Sequence, residues 1–415
     1  MSHLPSIRRR DFLAALSGGS AVLSLSGAVP HFWQVAAAAE SGTPRDTVLV
    51  VIQLTGGNDG LNTIVPFRHD AYRRARPKLA IPADQVLKID GELGFHPAAR
   101  GLADLLEAGQ LAVVQGVGYP EPNRSHFESM DIWHTCQRKT GSARTTGWLG
   151  RYLDATQHLA PSDSPGLHVG PEKQPLALAA ANVSTPSLAS PDRFRLQGDG
   201  NERLQAAIRD LAGTTASPGD ELLGFVRSTT TSALSASERI AAVLRDAASP
   251  VAYPDNELAR KLKLVAQLIA AGLKTRVYYV ELDGFDTHSQ QPAAHAALLQ
   301  QFSGAMKAFL EDIAQHGEAR RVLAMAFSEF GRRVAENASE GTDHGAAAPM
   351  FLAGAPARGG LLTPHPSLDD LTDGDLRFQT DFRQVYASVL TGWLGWPSAD
   401  ILGGVFEPVR VLAGG

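Results

Sequence analysis

The chain has 415 residues, of which 44% are hydrophobic and 20% charged, and its formal net charge is -5. This length allows one large or two ordinary domains, and the composition is typical of a soluble globular protein. Without a run of Lys and Arg beyond the first few residues, we expect no nucleic-acid partner. A single cysteine, Cys136, excludes an intramolecular disulfide.

The N-terminus has the pattern of a signal peptide. Arg9 and Arg10 precede a weakly apolar stretch, Ala14–Val29, and a run of small residues, Ala36–Ala39. This order predicts a signal peptide over residues 1–39. The paired arginines, followed by a polar residue and Phe-Leu, resemble a twin-arginine signal. An uncleaved anchor helix is the alternative, but the apolar stretch is short of the roughly 20 residues that a span needs. We therefore expect an exported, periplasmic protein without a stable membrane span, with the twin-arginine export machinery as a partner.

The first elements of the mature chain alternate between strand and helix. Thr47–Leu54 is a continuous apolar run typical of a buried strand, and the glycine-rich turn Gly56–Gly60 follows it. Pro97–Gly109 has helical spacing, and Leu111–Gly118 is a second buried strand. The order strand, helix, strand favours a parallel sheet.

The second half continues this pattern. The predicted helices are Phe127–Thr135, Gly147–Asp154, Glu257–Ala271, Ala293–Gln315 and Asp381–Leu394. The predicted strands are Thr275–Leu282, Arg321–Phe327 and Pro349–Gly354. The sequence therefore predicts an α/β fold over residues 45–415, a three-layer sandwich with a mostly parallel central sheet flanked by helices.

One long segment departs from the alternation. Residues 158–250 are rich in Ala, Ser, Thr and Pro, with weak periodicity. We interpret them as an insertion that is helical at Glu202–Ala212 and Leu222–Ala248 and could cover the site.

Polar clusters follow the predicted strands. Asp283, Asp286 and His288 come after one strand, and Ser328 and Glu329 come after the next. Ligands bind outside the carboxyl ends of such strands, and carboxylate with imidazole suits zinc, manganese or iron, whereas magnesium and calcium favour oxygen ligands. We expect one or two divalent ions (Zn, Mn, Mg or Ca) and metal ligands among Asp59, Asp283, Asp286, His288, Glu329, Asp343 and His344.

Two of these clusters have simpler interpretations. Asn58 and Asp59 in a glycine-rich turn could hold a cation and substrate, or could only cap or reverse the chain. Asp343 and His344 could likewise form a surface turn.

The segment Asn123-Arg124-Ser125-His126 carries the predicted catalytic groups. Ser125 could act as a nucleophile, and Arg124 could hold a phosphate or sulfate oxygen. The alternative is a capping box, because Glu128 follows Ser125 three residues later. We expect Asn58, Asn123 and Arg332 to contact the substrate and His126 to assist catalysis.

Six motifs in one order carry a resemblance that covers nearly the whole mature chain. They are Gly56–Gly60, Arg124–Phe127, Gly147–Arg151, Asp283–His288, Ser328–Arg332 and Gly341–Gly345. Together they resemble an uncharacterised family of bacterial proteins, many with twin-arginine signals, within the alkaline phosphatase-like superfamily of phosphatases, sulfatases, phosphodiesterases and mutases. The resemblance implies the alkaline phosphatase-like version of the predicted fold.

The resemblance also implies a chemistry. Two divalent cations would polarise an anionic ester and activate a Ser or Thr nucleophile, which forms a covalent ester that water hydrolyses. Ser125 matches the nucleophile position and Asp59 the carboxylate after the first strand. The metal positions that match are Asp286 with His288 (and Asp283), Glu329 and His344.

The chain departs from the superfamily pattern where an Asp-His pair is expected. Ser328-Glu329 stands there, so one imidazole ligand is missing, and the spacing from Asp286 to His288 is tight. One metal, or a second site of oxygen ligands for magnesium or calcium, therefore stays open.

Three functions remain. The first is an exported metal-dependent hydrolase of phosphate or sulfate esters, and the second is a metal- or ligand-binding protein of the same fold without turnover. The third, a serine esterase using Ser125 with His126 or His288, is weaker because no Gly-x-Ser-x-Gly elbow surrounds Ser125.

Overall fold

The computed structural model describes residues 46–138, 144–157, 163–188 and 249–414. These residues all belong to one compact unit, Thr43–Gly415. The predicted signal peptide, 1–39, and the predicted helices at 202–212 and 222–248 lie outside the described residues. Within the described ranges, no helix is both long and apolar enough to cross a bilayer.

The described residues form a nine-stranded central sheet and two small sheets. We number all strands along the chain. Those of the central sheet are β1 (Val48–Leu54), β5 (Leu111–Gly118), β6 (Gly166–Val169), β7 (Ser187–Leu188), β8 (Val277–Leu282), β9 (Val322–Phe327), β10 (Ala348–Ala353), β11 (Gly360–Leu361) and β14 (Thr380–Asp381). The small sheets contain β2 (Ile64–Val65), β3 (Leu87–Lys88) and β4 (Gly94–Phe95), and β12 (Leu371–Thr372) with β13 (Asp375–Leu376).

The central sheet has the order β11-β5-β10-β9-β1-β8-β6-β7, with β14 paired to β5. All of its described pairs are parallel except those of β10, which is antiparallel to both β5 and β9. A parallel connection needs a crossover, usually a helix, and no helix separates β9 from β10. The chain therefore stays at the carboxyl edge of β9 and returns antiparallel. The predicted mostly parallel α/β sheet is confirmed.

Helices flank this sheet. We number them α1 (Gly60–Thr63), α2 (Asp70–Ala75), α3 (Arg100–Glu107), α4 (His126–Thr135), α5 (Trp148–Thr156), α6 (Glu257–Ala270), α7 (Gln291–Gln315), α8 (Phe382–Ser388) and α9 (Ser398–Leu402). A 3-10 turn covers Leu176–Leu178, and a π-helical segment, Val389–Trp393, continues α8. The predicted helix Asp381–Leu394 is thus one α-helical and one π-helical segment.

Two hydrophobic cores, one on each face of the sheet, make three layers. Successive residues of β1 point into opposite cores. Val50 and Ile52 pack in the core that contains residues of α3, α6 and α7. Leu49 and Val51 pack in the core that contains residues of α4, α5 and α8. Because both faces are covered, the central strands are continuously apolar instead of alternating.

Two short stretches of the segment predicted as an insertion are strands of the central sheet. β6 pairs with β8, and β7 pairs with β6, so residues 166–169 and 187–188 extend the sheet at its edge. Strands of four and two residues are too short to show periodicity, which is why the sequence pattern missed them. Within the predicted insertion, residues 166–169 and 187–188 are therefore sheet strands, and its bounds, 158–250, stay a prediction.

Candidate metal centre

The loops after β1, β8 and β9 meet at the carboxyl edge of the sheet. β1 lies between the other two strands, with Leu54 opposite Leu282 and Gln53 opposite Phe327, so the three loops start side by side. Helix α4 begins at His126, shortly after β5 ends. This edge is where open α/β sheets place their ligands.

Three imidazoles converge on one carboxylate oxygen in these loops. Asp286 Oδ1 lies 3.1 Å from His288 Nε2, 3.1 Å from His344 Nε2 and 3.4 Å from His126 Nε2. The Nε2 atoms of His288 and His344 are 2.8 Å apart. The structure thus brings together two predicted metal histidines, one predicted metal carboxylate and His126, which was predicted as a catalytic group.

The second nitrogen of each imidazole is held by the protein. His126 Nδ1 lies 2.8 Å from Glu329 Oε1, and His344 Nδ1 lies 2.7 Å from the carbonyl oxygen of Arg124. His288 Nδ1 lies 3.3 Å from Asp343 Oδ1. Metal-ligating histidines typically have such outer partners, which fix the ring and leave the other nitrogen for the ion. Glu329 and Asp343, predicted as ligands, therefore lie in the position of outer partners.

The spacing of the inner atoms suits a divalent ion. One ligand atom from each of His126, Asp286 and His344 lies within 4.8 Å of the others. Ligands of a tetrahedral zinc are about 3.4 Å apart, given metal–ligand distances near 2.0–2.1 Å. In addition, His126 Nε2 is buried and has no hydrogen-bond partner among the described residues. These residues fit an ion that accepts imidazole and carboxylate, such as zinc, manganese or iron.

The pKa shifts favour a bound cation at Asp286 and His344 and oppose it at His126. Burial by itself would raise the pKa of Asp286, but hydrogen bonds from Arg332 and His344 lower it to about 2. Burial lowers the pKa of His344. The hydrogen bond to Glu329 raises the pKa of His126, so a proton and a metal ion would compete for that ring.

Arg332 is buried beneath the site, although it was predicted to contact substrate. Only 2% of this residue is exposed, and its Nη2 donates to Asp286 Oδ1 at 2.7 Å. Its other contacts are all backbone carbonyl oxygens, namely those of Gly56, Gly57, Phe285 and Thr342. Arg332 therefore joins the loops after β1, β8 and β9 from a buried position, and its predicted contact with substrate stays a prediction.

The turn after β1 supports the same loops. Gly56 has a φ of +117°, and a Cβ there would lie 2.4 Å from the backbone nitrogen of Asp286. Only glycine allows this close approach. The Gly56 N–H donates to Glu329 Oε1 at 2.9 Å, which holds the outer partner of His126.

Asp59 and Asn58 lie outside the imidazole group. The Asp59 carboxylate is buried and accepts from Arg76 at 2.6 Å and from Gln291. Burial by itself would raise the pKa of Asp59, but the charges of Arg76 and His295 hold it below its usual value. Asn58 Oδ1 accepts from His295 Nε2 at 3.0 Å and from a threonine hydroxyl. The predicted roles of Asn58 toward a substrate and of Asp59 toward a metal stay predictions.

Ser125 occupies the N-cap of α4 without capping it. Its side chain makes no capping hydrogen bond, and Glu128 pairs with Arg144 instead, so the capping box does not form. Ser125 is exposed, and its backbone N–H donates to Asn123 Oδ1 at 2.8 Å. The hydroxyl is left for another role.

Arg124 and Asp283 also point away from the imidazoles. Arg124 pairs through its guanidinium with Asp375, a buried carboxylate. Asp283 is exposed and accepts from the N–H of Gly284 at 2.7 Å. Neither Arg76 nor Asp375 had a sequence signal, since each lies in an ordinary polar stretch.

Another group that the sequence analysis missed lies near β6 and β8. His168, Glu172 and Glu281 each offer a ligand atom within 4.8 Å of the others. A charged residue within the apolar run Val277–Leu282 was the available signal for Glu281. This group is separate from the imidazoles around Asp286.

Comparison with known proteins places the chain in a family. The model of the family described as "Protein of unknown function (DUF1501)" matches residues 112–370. The chain belongs to this family. The match includes Ser125, Asp286, Glu329 and His344 of the DUF1501 protein. No curated protein matches the chain significantly in sequence.

Solved structures similar to this DUF1501 protein include enzymes and a superfamily member. The lipoteichoic acid synthase LtaP from Listeria monocytogenes is 9% identical, with 88% of this chain and 76% of that chain covered and a TM-score of 0.41. The PsFucS1 sulfatase from Pseudoalteromonas sp. is 11% identical, with 91% and 73% covered and a TM-score of 0.35. A protein in the alkaline phosphatase superfamily from Vibrio parahaemolyticus is 7% identical, with 86% and 70% covered and a TM-score of 0.37. Similarity this low assigns no activity to the chain.

The outer partners of the imidazoles lead to a testable prediction. In Asp343→Asn, the amide cannot supply the negative charge that holds the Nδ1–H of His288, so we expect the affinity for zinc to fall by about 10- to 100-fold. Competition with a chromophoric chelator measures this. Asp283→Asn is the matched control, because among the described residues that exposed carboxylate accepts a hydrogen bond from the Gly284 N–H and none from an imidazole. An unchanged affinity in Asp343→Asn would place His288 outside the metal centre.

Proposed function

We propose that this DUF1501 protein is an exported, metal-dependent hydrolase of phosphate or sulfate esters with Ser125 as its nucleophile. The observation that carries the proposal is the set of three imidazoles around Asp286. Each presents Nε2 to the carboxylate while its Nδ1 is held by an outer partner. Holding three imidazole rings in place costs side-chain conformational entropy. An ordinary surface turn has no reason to order its side chains in this way.

Ser125 is linked to this group through both of its neighbours. The carbonyl oxygen of Arg124 accepts from His344, and His126 contributes its own imidazole. Because adjacent Cα atoms are about 3.8 Å apart, Ser125 is held at the rim of the metal centre. It also stands at the N-terminus of the ten-residue helix α4, where the helix dipole favours an anionic group.

The chemistry follows from these positions. A divalent ion held by His126, Asp286 and His344, with His288 as a further ligand, would act as a Lewis acid toward an ester oxygen and would favour the ionised serine. Ser125 Oγ would lose its proton to solvent and form a bond to phosphorus or sulfur, while the bond to the alcohol oxygen breaks and that oxygen takes a proton from solvent. Water then cleaves the serine ester, which releases phosphate or sulfate and restores the hydroxyl. The Arg124 guanidinium, 41% exposed on its side chain, lies one residue away and could exchange Asp375 for a substrate oxygen.

Export is part of the proposal. Arg9-Arg10, the apolar stretch after them and the small residues before Glu40 support the twin-arginine route and a periplasmic location. That route carries folded proteins, which suits a protein whose metal ligands come from distant parts of the chain.

A metal-binding protein without turnover is the second candidate. It is favoured by the pairing of Asp59 with Arg76, because that carboxylate is not available to a second ion beside Asp286. Superfamily chemistry as implied by the sequence motifs uses two ions. A single ion could serve binding alone.

One experiment separates the two candidates. Protein purified from its exporting host is stripped with a chelator, reloaded with zinc or manganese, and given phosphomonoesters, phosphodiesters and sulfate esters. We expect hydrolysis of at least one class after reloading and none after stripping. Stoichiometric metal without hydrolysis of any ester would favour the binding protein, and failure to bind either ion would overturn both.

A further inference from the structure

A second group of ligand-type side chains lies on the edge half of the sheet. His168 belongs to β6, Glu281 to β8, and Glu172 to the turn after β6. Their candidate ligand atoms are within 4.8 Å of one another. None of the three belongs to the centre around Asp286.

His168 is oriented toward the two carboxylates and is unsatisfied. Its side chain is 0% exposed, and its Nδ1 lies 3.0 Å from Ser187 Oγ. Its Nε2 lies 3.9 Å from Glu281 Oε2 and has no hydrogen-bond partner within the described ranges. A buried imidazole nitrogen without a partner is costly, so this geometry calls for another atom in the group.

Glu172 also has a buried polar atom that lacks a hydrogen-bond partner among the described residues. Its Oε2 is buried without a hydrogen-bond partner in the described part of the chain, although Oε1 accepts from Lys261 Nζ at 2.5 Å. The carboxylate lies directly over Gly170, where a Cβ would be only 1.9 Å from Oε2. Glycine at this position leaves the space that the carboxylate fills.

Lys261 does not balance the charge of the group. Its ammonium faces the carboxylate of Glu172, the backbone oxygen of Glu281 and, at 3.1 Å, the carboxylate of Glu257. Its one positive charge is thus shared between the carboxylates of Glu172 and Glu257, and the Glu281 carboxylate has no ion pair with it within the described ranges. A simple ion cluster would explain Lys261, but it would leave His168 Nε2 and Glu172 Oε2 without partners.

We propose that His168, Glu172 and Glu281 bind a second divalent cation of a metal that accepts nitrogen and oxygen ligands, such as manganese or zinc. The cation supplies the missing partner of both unsatisfied atoms and the missing positive charge. Ser187 Oγ contacts His168 Nδ1, so it stands where a metal-ligating histidine typically has its outer partner. The site links β6 and β8 at the sheet edge and is independent of any ester hydrolysis.

The test counts manganese ions, with no use of catalysis. His344→Ala is introduced first to disable the centre around Asp286, and Mn²⁺ binding is followed by electron paramagnetic resonance and equilibrium dialysis. We expect one ion per chain to remain. Adding Glu172→Gln should lower its affinity at least tenfold, whereas Glu257→Gln, which removes an exposed charge near Lys261, should change it little. If Glu172→Gln does not fold, His168→Gln carries the same expectation.

Replacing the competing lysine gives a result of opposite sign. In Lys261→Met the carboxylates lose their ammonium partner, so a cation site should bind Mn²⁺ several-fold more tightly. A cluster held together only by Lys261 would lose thermal stability without any gain in Mn²⁺ affinity. That outcome would overturn the proposal. The proposal also fails if the ion that remains in the His344→Ala background keeps its affinity in all of the Glu172, His168 and Lys261 variants, because the ion is then an adventitious ion only. Neither outcome affects the proposal that the protein is a hydrolase, because that proposal is tested separately by ester turnover.

Discussion

Replacing Arg332 by Met should lower the free energy of unfolding by about 3–5 kcal/mol, because buried backbone carbonyl oxygens lose their donor, at about 1–3 kcal/mol for each one left unsatisfied. The guanidinium donates to Asp286 and to four backbone carbonyl oxygens from the loops after β1, β8 and β9. Methionine fills a similar volume without any of these donors. Chemical denaturation followed by circular dichroism, with a chelator present so that metal loss does not contribute, measures the change.

The neighbouring arginine is the matched control. Arg333 has 36% of its side chain exposed and lies 3.5 Å from Asp375, which Arg124 also contacts. Because Arg124 still pairs with the buried Asp375 carboxylate, Arg333→Met should cost about 1 kcal/mol, less than Arg332→Met. Equal losses in the two variants would show that Arg332 does not hold the site together. We also expect Arg332→Met to lose zinc affinity, since Asp286 would no longer be held in place.

Ser125→Ala should reduce ester turnover by on the order of 10³-fold or more, because a nucleophile that forms a covalent intermediate has no substitute in the site. The exposed hydroxyl caps no helix, so its loss should leave the stability nearly unchanged. Steady-state rates on the best ester, with metal content measured on the same sample, test this. Labelled phosphate or sulfate trapped on the wild-type chain should be absent from the variant.

An exposed serine in the same region is the control. Ser289 follows His288 and has no predicted role, so Ser289→Ala should keep both rate and metal. Full turnover in Ser125→Ala would require another nucleophile and would remove the central residue of the proposed mechanism. A loss of metal together with activity would instead assign Ser125 to the metal centre.

Most of the secondary structure could be predicted from local patterns. The antiparallel direction of β10 could not. The buried strands at 48–54, 111–118, 277–282 and 322–327 follow from continuous apolar runs, and α6 and α7 follow from their apolar stripes. The direction of β10 could not be read from its residues. It depends on the absence of a crossover helix after β9, which is a property of the connection.

The candidate site divides in the same way. Residue type and position in the loops predicted that Asp286, His288 and His344 lie together, because the loops after β8 and β9 start at the same edge of a parallel sheet. They were not enough to separate inner from outer groups. Glu329 and Asp343 have the chemistry of ligands but contact Nδ1 atoms, and Asp59 pairs with Arg76.

The sequence by itself determined that this DUF1501 protein forms a mostly parallel α/β sheet with carboxylates and imidazoles after its strands, because strand order and hydrophobic period are local properties. Only the tertiary structure decided which of those groups share a space. Contacts between residues such as Arg76 and Asp59, or His126 and Glu329, depend on side-chain direction across loops that are distant in sequence. A buried charge takes the partner that packing brings within hydrogen-bond distance, and no local pattern records that choice.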